Sequence, residues 1–238
     1  MIRSVILPAF NEDGYIAEMV RRTLEAGALK PGEFEVIVVD NASDDRTAEI
    51  VRALAAEDPR VKLISHPENL RYAASCLTGT QAARGDRVFI IDSDGQHPPD
   101  DLWKFDERLE DGYDIVFGWR THREESLQRL AMSRVLWSLA RVYLGFRLHD
   151  VNCGIRGFNR AFAEGLEIKH KVNLVNPELY VRARLRGFRV GEVEVIQEKR
   201  KAGVSSHELG RLMRIFHDVT RYLSQLRAEM KAAGFTAS

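Results

Sequence analysis

The sequence predicts an α/β protein in which a mostly parallel central sheet carries helices on both faces. Between residues 2 and 91, short apolar segments rich in β-branched residues alternate with segments of helical apolar spacing. The alternation has the spacing of βαβ units, which build parallel sheets. Several strand segments are apolar at every position, as in strands that are buried on both faces.

The N-terminal part supplies four predicted strands and three predicted helices. Residues 2–7 form an apolar run that ends at Pro8, which indicates a buried strand. The second helix has Ser43 or Asp44 as its candidate N-cap. The predicted order is strand 2–7, helix 13–26, strand 35–40, helix 44–56, strand 61–65, helix 72–83 and strand 87–91.

The pattern changes after Asp92. The prediction continues with a helix that ends at 109, a strand at 114–118, an Arg-rich helix at 124–144, an irregular segment at 150–158, a helix at 177–186 and a strand at 189–196. We assign residues 1–206 to one domain and residues 207–238 to a C-terminal helical extension. The predicted amphipathic helix of that extension, 208–232, has one apolar stripe, formed by Leu209, Leu212, Met213, Phe216, Val219, Leu223, Leu226 and Met230.

Composition excludes several classes of protein. Lys plus Arg and Asp plus Glu each total 35 of the 238 residues, so net charge gives no argument for a nucleic-acid partner. Cys76 and Cys153 lie far apart without CxxC spacing, which argues against a disulfide framework or zinc site and favours a reducing cytoplasm. No segment reaches the roughly 18 uninterrupted apolar residues of a membrane span. We therefore expect a soluble or peripheral protein.

The strongest candidate site lies where the predicted parallel strands end, because ligands bind beyond the carboxyl ends of such strands. Asp92 and Asp94 follow an apolar strand and would repel each other unless a cation joined them. Their oxygens suit Mg²⁺ or Mn²⁺ together with substrate phosphates. The alternative is a solvated Asp-rich turn. Asp40 could accept a hydrogen bond from a nucleotide base or ribose, or it could cap the next helix.

Five segments resemble family 2 glycosyltransferases, which have the Rossmann-like GT-A fold. They are 5–12 (VILPAFNE), 38–47 (VVDNASDDRT), 92–99 (DSDGQHPP), 118–120 (GWR) and 150–158 (DVNCGIRGF), in the order of the family. The last three look most like the polyprenyl-phosphate branch, which includes dolichol-phosphate mannose synthases. The resemblance covers roughly residues 5–206 and implies a hexosyltransferase that depends on Mg²⁺ or Mn²⁺.

The resemblance also implies a role for particular residues. The nucleotide sugar would be bound by Pro8, Phe10, Glu12, Asp40, Asp92 and Ser93. The divalent metal on its diphosphate would be held by Asp92, Asp94 and Gln96. The acceptor phosphate would contact Arg120, Arg129, Arg200 and Ser205. Arginine binds phosphate through charge-assisted bidentate hydrogen bonds, although an arginine on the 124–144 helix could equally be a solvated surface charge.

The predicted reaction is the inverting transfer of a hexose from a GDP- or UDP-sugar to a polyprenyl or dolichyl phosphate. A phosphate anion is a competent nucleophile and needs little help from a general base. A hydroxyl acceptor on a cell-surface glycan or glycolipid would need a base, for which Glu178 is the candidate. The helix dipole alone would also favour a Glu at that helix start. The alternative from another class is a non-catalytic nucleotide-binding module.

The chain departs from the family pattern at three points. Arg71 stands where Gly is common, and Ser206 stands where the polyprenyl-phosphate enzymes usually have Lys. No transmembrane helices follow the predicted domain, as they do in many relatives. The C-terminal helix could lie at the cytoplasmic face of a membrane, or it could pack on its own domain or on a second subunit. Its basic flank consists of Arg211, Arg214, Arg221, Arg227 and Lys231.

Overall fold

The computed structural model describes residues 1–121, 127–145, 147–150, 152–169, 175–198 and 212–235, with the main chain alone for 127–132 and 212–217. The first half contains β1 (Ile2–Ala9), α1 (Ile16–Ala28), β2 (Glu33–Asp40), α2 (Thr47–Glu57), β3 (Val61–Ser65), α3 (Tyr72–Ala82) and β4 (Arg87–Ile91). The second half contains a 3₁₀ turn (Pro99–Asp101), α4 (Leu102–Glu110), β5 (Ile115–Arg120), α5 (Leu127–Leu144), β6 (Ile155–Asn159), α6 (Arg160–Ala163), α7 (Val175–Leu185), β7 (Val190–Val195) and α8 (Leu212–Ala232).

The strands of the described chain form one sheet in the order β3-β2-β1-β4-β6-β5-β7. All neighbouring pairs are parallel except those of β6, which runs antiparallel to both β4 and β5. Alternate residues of each strand face opposite sides, so Ile6 and Val5 of β1 belong to two different apolar clusters. Helices α1, α2 and α4 cover the side of Val5, and α3, α5, α7 and α8 cover the side of Ile6. The predicted α/β class is confirmed.

Strand β6 corrects the prediction of an irregular segment at 150–158. Its residues are buried from Ile155 to Phe158, yet the segment lacks the uniform apolar character of the other central strands. A side chain at Gly157 would place its Cβ 2.8 Å from the Phe89 ring, and Arg156 is a buried charge. The glycine and the buried arginine of β6 fit its neighbours in the fold, and the sequence pattern of a strand does not predict either residue.

Helices α1 and α2 each begin three residues later than predicted. Neither Ser43 nor Asp44 caps α2, which begins at Thr47. The Ser43 hydroxyl instead accepts a hydrogen bond from the main-chain N–H of Asn11, and the Asn11 side chain accepts one from the N–H of Asp44. The polar residues before α2 thus join two strand-end loops rather than extending the helix.

Helix α8 packs on its own domain. Val219, Leu223, Leu226 and Met230 of its predicted stripe are each at most 4% exposed and belong to the core cluster on the Ile6 side. These four residues therefore do not form a membrane-facing or subunit-facing surface. The rest of the stripe, like the predicted boundary at residue 206, lies outside the described side chains. Within the described ranges, no helix combines the length and apolarity needed to cross a bilayer.

Candidate active site

The ends of β1, β2 and β4 bring three loops together at one edge of the sheet. β1 lies between the other two strands, and Ala9 is in register with Asp40. The Ser93 hydroxyl donates a 2.8 Å hydrogen bond to the carbonyl of Pro8, which ties the loop after β4 to β1. The residues that were predicted to bind the nucleotide sugar are therefore brought together: Pro8, Phe10, Glu12, Asp40, Asp92 and Ser93.

The predicted nucleoside side of the site is built by buried polar contacts. Glu12 is 7% exposed, and its N–H donates a 2.9 Å hydrogen bond to the Thr47 hydroxyl. Asp40 is 3% exposed and accepts a hydrogen bond from the N–H of Ser43, well before α2 begins. Asp40 is thus not the cap of α2. Phe10 differs from these residues because it is 42% exposed at the rim.

Arg71 forms the next part of this rim in an unusual conformation. Its φ of 74° and ψ of 165° place it in a region that is essentially reserved for glycine. Its N–H donates a hydrogen bond to the Asn69 side chain, which accepts a second one from Asn41. Asn41 in turn accepts from the N–H of Leu70. The backbone at this position therefore favours glycine, although the residue here is an arginine.

The two candidate metal-binding carboxylates are held differently. Asp92 and Asp94 are both half-buried. Asp92 Oδ1 accepts a 2.5 Å hydrogen bond from the Tyr72 hydroxyl, whereas Asp94 Oδ1 accepts from the N–H of Gln96, two residues later. Gly95, which lies between Asp94 and Gln96, has a φ of 73°. It lies against the Tyr15 ring, which leaves no space for a Cβ. The loop is therefore compact and oriented by its neighbours.

A buried polar chain leads away from Asp92. Arg156 is 2% exposed; it donates one hydrogen bond to the Tyr72 oxygen and another to the Asn176 side chain. Asn176 donates in turn to the carbonyl of Cys153. A Cβ at Gly154 would lie 2.1 Å from Asp92 Oδ2, so the backbone here approaches the carboxylate as only glycine allows.

Arg120 enters the site from the end of β5. Its Nε lies 2.6 Å from Asp150 Oδ2 and its Nη2 3.1 Å from Asp150 Oδ1, a two-point ion pair in which both side chains are buried. Nη1 also donates to Gln197. Gln197 belongs to a segment attached to the Asp94 loop, because the N–H of Glu198 donates a 2.8 Å hydrogen bond to the carbonyl of Gln96.

His97 is a buried histidine that interacts electrostatically with both Arg120 and Asp94. Burial and the positive charge of Arg120 together lower the pKa of its imidazole from 6.5 to about 4, against the opposing effect of Asp94. The imidazole is therefore neutral at physiological pH. The contacts of Arg120 with Gln197 and of Glu198 with Gln96 place the arginine predicted to bind phosphate near the loop of the carboxylate predicted to bind metal.

The cysteines do not supply a nucleophile. Burial raises the pKa of the Cys76 thiol to about 11 and that of the Cys153 thiol to about 12, so both remain protonated at neutral pH.

The other predicted catalytic residues are not brought to this cluster in the described chain. Glu178 is 1% exposed, and its Oε1 accepts hydrogen bonds from Arg182 and from the N–H of Lys169. Arg182 also pairs with Glu229 of α8. The Glu178 carboxylate thus joins α7 to the segment before it, whereas Arg182 joins α7 to α8. The role of Glu178 as a base stays a prediction. The Arg129 side chain, Arg200 and Ser205 lie outside the described residues.

The chain matches a known protein family. A family model described as glycosyl transferase family 2 matches residues 4–166. The chain belongs to glycosyl transferase family 2. Two similar relatives are both undecaprenyl-phosphate 4-deoxy-4-formamido-L-arabinose transferases. The one from Pseudomonas aeruginosa (strain LESB58) is 32% identical over 98% of this chain and 70% of the relative. The one from Yersinia enterocolitica is 28% identical over 98% of this chain and 73% of the relative.

Solved structures show the same fold. Glucosyl-3-phosphoglycerate synthase from Mycobacterium tuberculosis, in complex with Mn²⁺, UDP-glucose and phosphoglyceric acid, matches with a TM-score of 0.71 and 21% identity over 95% of this chain and 80% of that chain. The same enzyme with Mg²⁺ and UDP matches with a TM-score of 0.71 and 24% identity over 95% of this chain and 79% of that chain. This family 2 glycosyltransferase therefore has the GT-A fold.

The oxygen groups of this glycosyltransferase fit a divalent cation that shares its coordination with substrate. In the part of the chain that the structure describes, no three His, Cys, Asp or Glu side chains are arranged to hold a metal by themselves. Mg²⁺ is commonly bound by one or two carboxylates together with substrate phosphates. Asp92, Asp94 and the half-buried Gln96 supply such a partial set.

Tertiary contacts also reveal residues that the sequence analysis missed in this glycosyltransferase. Tyr72 and Arg156 hold Asp92, and Asp150 holds Arg120. Asp150 and Arg156 lie in segment 150–158, whose resemblance to the family was the available signal. The role of each residue depends on a partner distant in sequence, which the segment alone does not specify.

Proposed function

We propose that this glycosyltransferase transfers a sugar, in the first instance a hexose, from a GDP- or UDP-sugar to a polyprenyl phosphate with inversion at the anomeric carbon. The observation that carries the proposal is the link between Arg120 and the Asp92–Asp94 loop, because Arg120 donates to Gln197 and the N–H of the next residue, Glu198, donates to the carbonyl of Gln96. In this arrangement Arg120 would bind the acceptor phosphate, and Asp92 and Asp94 would hold the metal that binds the donor diphosphate. The names of the undecaprenyl-phosphate relatives support the same acceptor class.

The donor would lie across the ends of β1, β2 and β4. Glu12 and Asp40, both buried, offer carboxylates to the N–H groups of a base or to ribose hydroxyls. Asp92, Asp94 and Gln96 would hold Mg²⁺ or Mn²⁺. When bound, the cation would stabilise the negative charge that develops on the leaving diphosphate.

The acceptor phosphate would approach from the side of Arg120. The ion pair with Asp150 fixes the plane of the guanidinium, which would reduce the entropy lost when a phosphate binds to it. Arg129, Arg200 and Ser205 belong to the same proposal as further phosphate contacts. Because the proposed acceptor carries a lipid, we expect the reaction to take place at the cytoplasmic face of a membrane.

Transfer to a glycan hydroxyl is the weaker alternative. It would require a general base, and the proposed base Glu178 is committed to Arg182 and the main chain of Lys169. Transfer to a phosphate anion requires no such group. This agrees with the lowered pKa of His97, which makes it a weak base, and with the protonated cysteines.

The test combines a donor panel with two aspartate variants. The purified protein is incubated with Mn²⁺ or Mg²⁺ and GDP- or UDP-sugars, a 4-formamido-arabinose donor included, with and without a short polyprenyl phosphate. Released nucleotide and lipid-linked sugar are both measured. We expect lipid-linked sugar from the native chain and from Asp100→Ala, an exposed position beyond the same loop, but none from Asp94→Ala.

Two results would contradict the proposal. Nucleotide release that does not respond to the lipid would redirect the acceptor search to hydroxyls. Equal lipid-linked product from Asp94→Ala and Asp100→Ala would show that Asp94 does not serve the reaction.

A further inference from the structure

The side chains behind Asp92 have a fixed donor direction. A guanidinium can only donate hydrogen bonds, so the Tyr72 oxygen must accept from Arg156. The single hydroxyl proton of Tyr72 is then left for Asp92 Oδ1, to which the oxygen lies at 2.5 Å. The direction of each bond follows from chemistry and does not depend on hydrogen positions.

The far end of this chain is anchored as firmly as the near end. Asn176 accepts from Arg156 and donates a 3.0 Å hydrogen bond to the carbonyl of Cys153. Arg156 and Asn176 are each 2% exposed, and both are therefore held away from water. The network thus joins α3, β6 and α7 to one carboxylate, and no atom of it needs to contact a substrate.

The backbone holds Asp92 from the opposite side. The N–H of Asp92 donates to the carbonyl of Gly154, and the Cα of Gly154 lies against Oδ2 of the same aspartate. One carboxylate oxygen is thus bound by a hydroxyl and the other is confined by a glycine. Rotation of the Asp92 side chain is restricted from both directions.

We propose that Tyr72 and Arg156 are positioning residues that hold the Asp92 carboxylate in the orientation required for binding the divalent metal. The inference rests on the proposed function, because it takes Asp92 to be a metal ligand. Groups that hydrogen-bond to a ligand fix its orientation, and their loss typically lowers metal affinity by about 10- to 100-fold. Arg156 acts only through Tyr72, so its effect on the metal is indirect.

The test measures metal binding directly. Mn²⁺ is titrated into the native chain and its variants in the presence of UDP or GDP, and free Mn²⁺ is followed by electron paramagnetic resonance. We expect Tyr72→Phe to bind Mn²⁺ about 10- to 100-fold more weakly. The metal concentration for half-maximal turnover should rise by a similar factor, while kcat at saturating metal should change much less.

Tyr180→Phe is the matched control. Tyr180 is another buried tyrosine, and its hydroxyl donates to the carbonyl of Gly145, away from Asp92. This variant should lose a comparable hydrogen bond and retain native Mn²⁺ affinity. Arg156→Lys, which keeps the buried charge but not the forked contact to Tyr72 and Asn176, should give an intermediate loss and carries the test should Tyr72→Phe fail to fold.

The outcomes separate the two proposals. Native Mn²⁺ affinity in both Tyr72→Phe and Arg156→Lys would overturn the positioning role and leave the proposed function standing. Failure of the native chain to bind Mn²⁺ with either nucleotide would overturn the metal assignment and the positioning role with it. Equal weakening in Tyr72→Phe and Tyr180→Phe would show a general loss of structure and would also overturn the inference.

Discussion

Arg120 and Asp150 form a two-point ion pair between the end of β5 and the chain that leads into β6. The side chains are 8% and 1% exposed, and the shorter N–O distance is 2.6 Å. A buried pair of this kind adds little net stability, because desolvation offsets the attraction, but removing one partner leaves an uncompensated charge. The pair therefore orients a guanidinium at the proposed acceptor side of the site.

Substitution of Asp150 should affect both stability and turnover. We expect Asp150→Asn to lower the free energy of unfolding by about 3 kcal/mol and to lower kcat/KM for the lipid phosphate more than tenfold. Denaturant unfolding and steady-state kinetics measure the two effects. Asp58→Asn removes a more exposed partner of Arg60 and should cost less than about 1 kcal/mol. Equal effects of the two variants would argue against a special role for the buried pair.

Replacement of Arg71 by glycine should stabilise the protein. The backbone conformation of Arg71 costs a non-glycine residue about 1–3 kcal/mol. Glycine would relieve this cost but would lower the stability by about 1 kcal/mol through its larger entropy in the unfolded state. A net gain of about 1 kcal/mol in Arg71→Gly is expected from denaturant unfolding. Arg71→Ala removes the same side chain without relieving the backbone, so it should give no gain. A gain in both would assign the effect to the guanidinium.

Stability in acid should depend on Glu35. Burial by itself would raise the pKa of this carboxyl, but hydrogen bonds from Lys62, Ser4 and Arg84 outweigh burial and lower the pKa to about 2 from 4.5. Because the folded pKa is the lower one, the contribution to stability is complete above pH 4.5 and is lost as the pH falls towards 2.

The corresponding variant is Glu35→Gln. It should lower the free energy of unfolding at pH 7 by about 2 kcal/mol, after allowance for the partly exposed lysine and arginine. It should also reduce the slope of stability against pH between 4.5 and 2. Thermal unfolding from pH 2 to pH 7 measures this, with the exposed Glu33→Gln as the control on the same strand. An unchanged slope in Glu35→Gln would refute the assignment.

Glu178 should prove to be a structural residue. Its carboxylate accepts hydrogen bonds from Arg182 and from the N–H of Lys169, and Glu178→Gln weakens the first of these by removing the charge. We expect a loss of about 1–3 kcal/mol in unfolding free energy, with lipid-phosphate transfer retained well below the melting temperature. Abolished transfer in a folded Glu178→Gln would instead support a base and a hydroxyl acceptor.

The sequence by itself determined the α/β class and the place in the fold of the carboxylates that we propose to bind metal. The strands β3 and β4 have the predicted bounds. In β4, residues that are apolar on both faces identify a buried strand without knowledge of its neighbours. For the same reason Asp92 could be placed at a strand end from the sequence. Strand β6 could not be predicted, since Arg156 and Gly157 were selected by the neighbours they pack against.

Only the tertiary structure decided which residues hold Asp92 and Arg120 in place. Tyr72 lies 20 residues from Asp92, and Asp150 lies 30 residues from Arg120. Such contacts depend on how strands and helices are brought together, and local spacing does not encode them. The same holds for Glu178, for which the sequence left two alternatives, a general base or a residue favoured at a helix start by the helix dipole. Its burial and its hydrogen bonds from Arg182 and Lys169 depend on how α7 packs, which its place in the helix does not reveal.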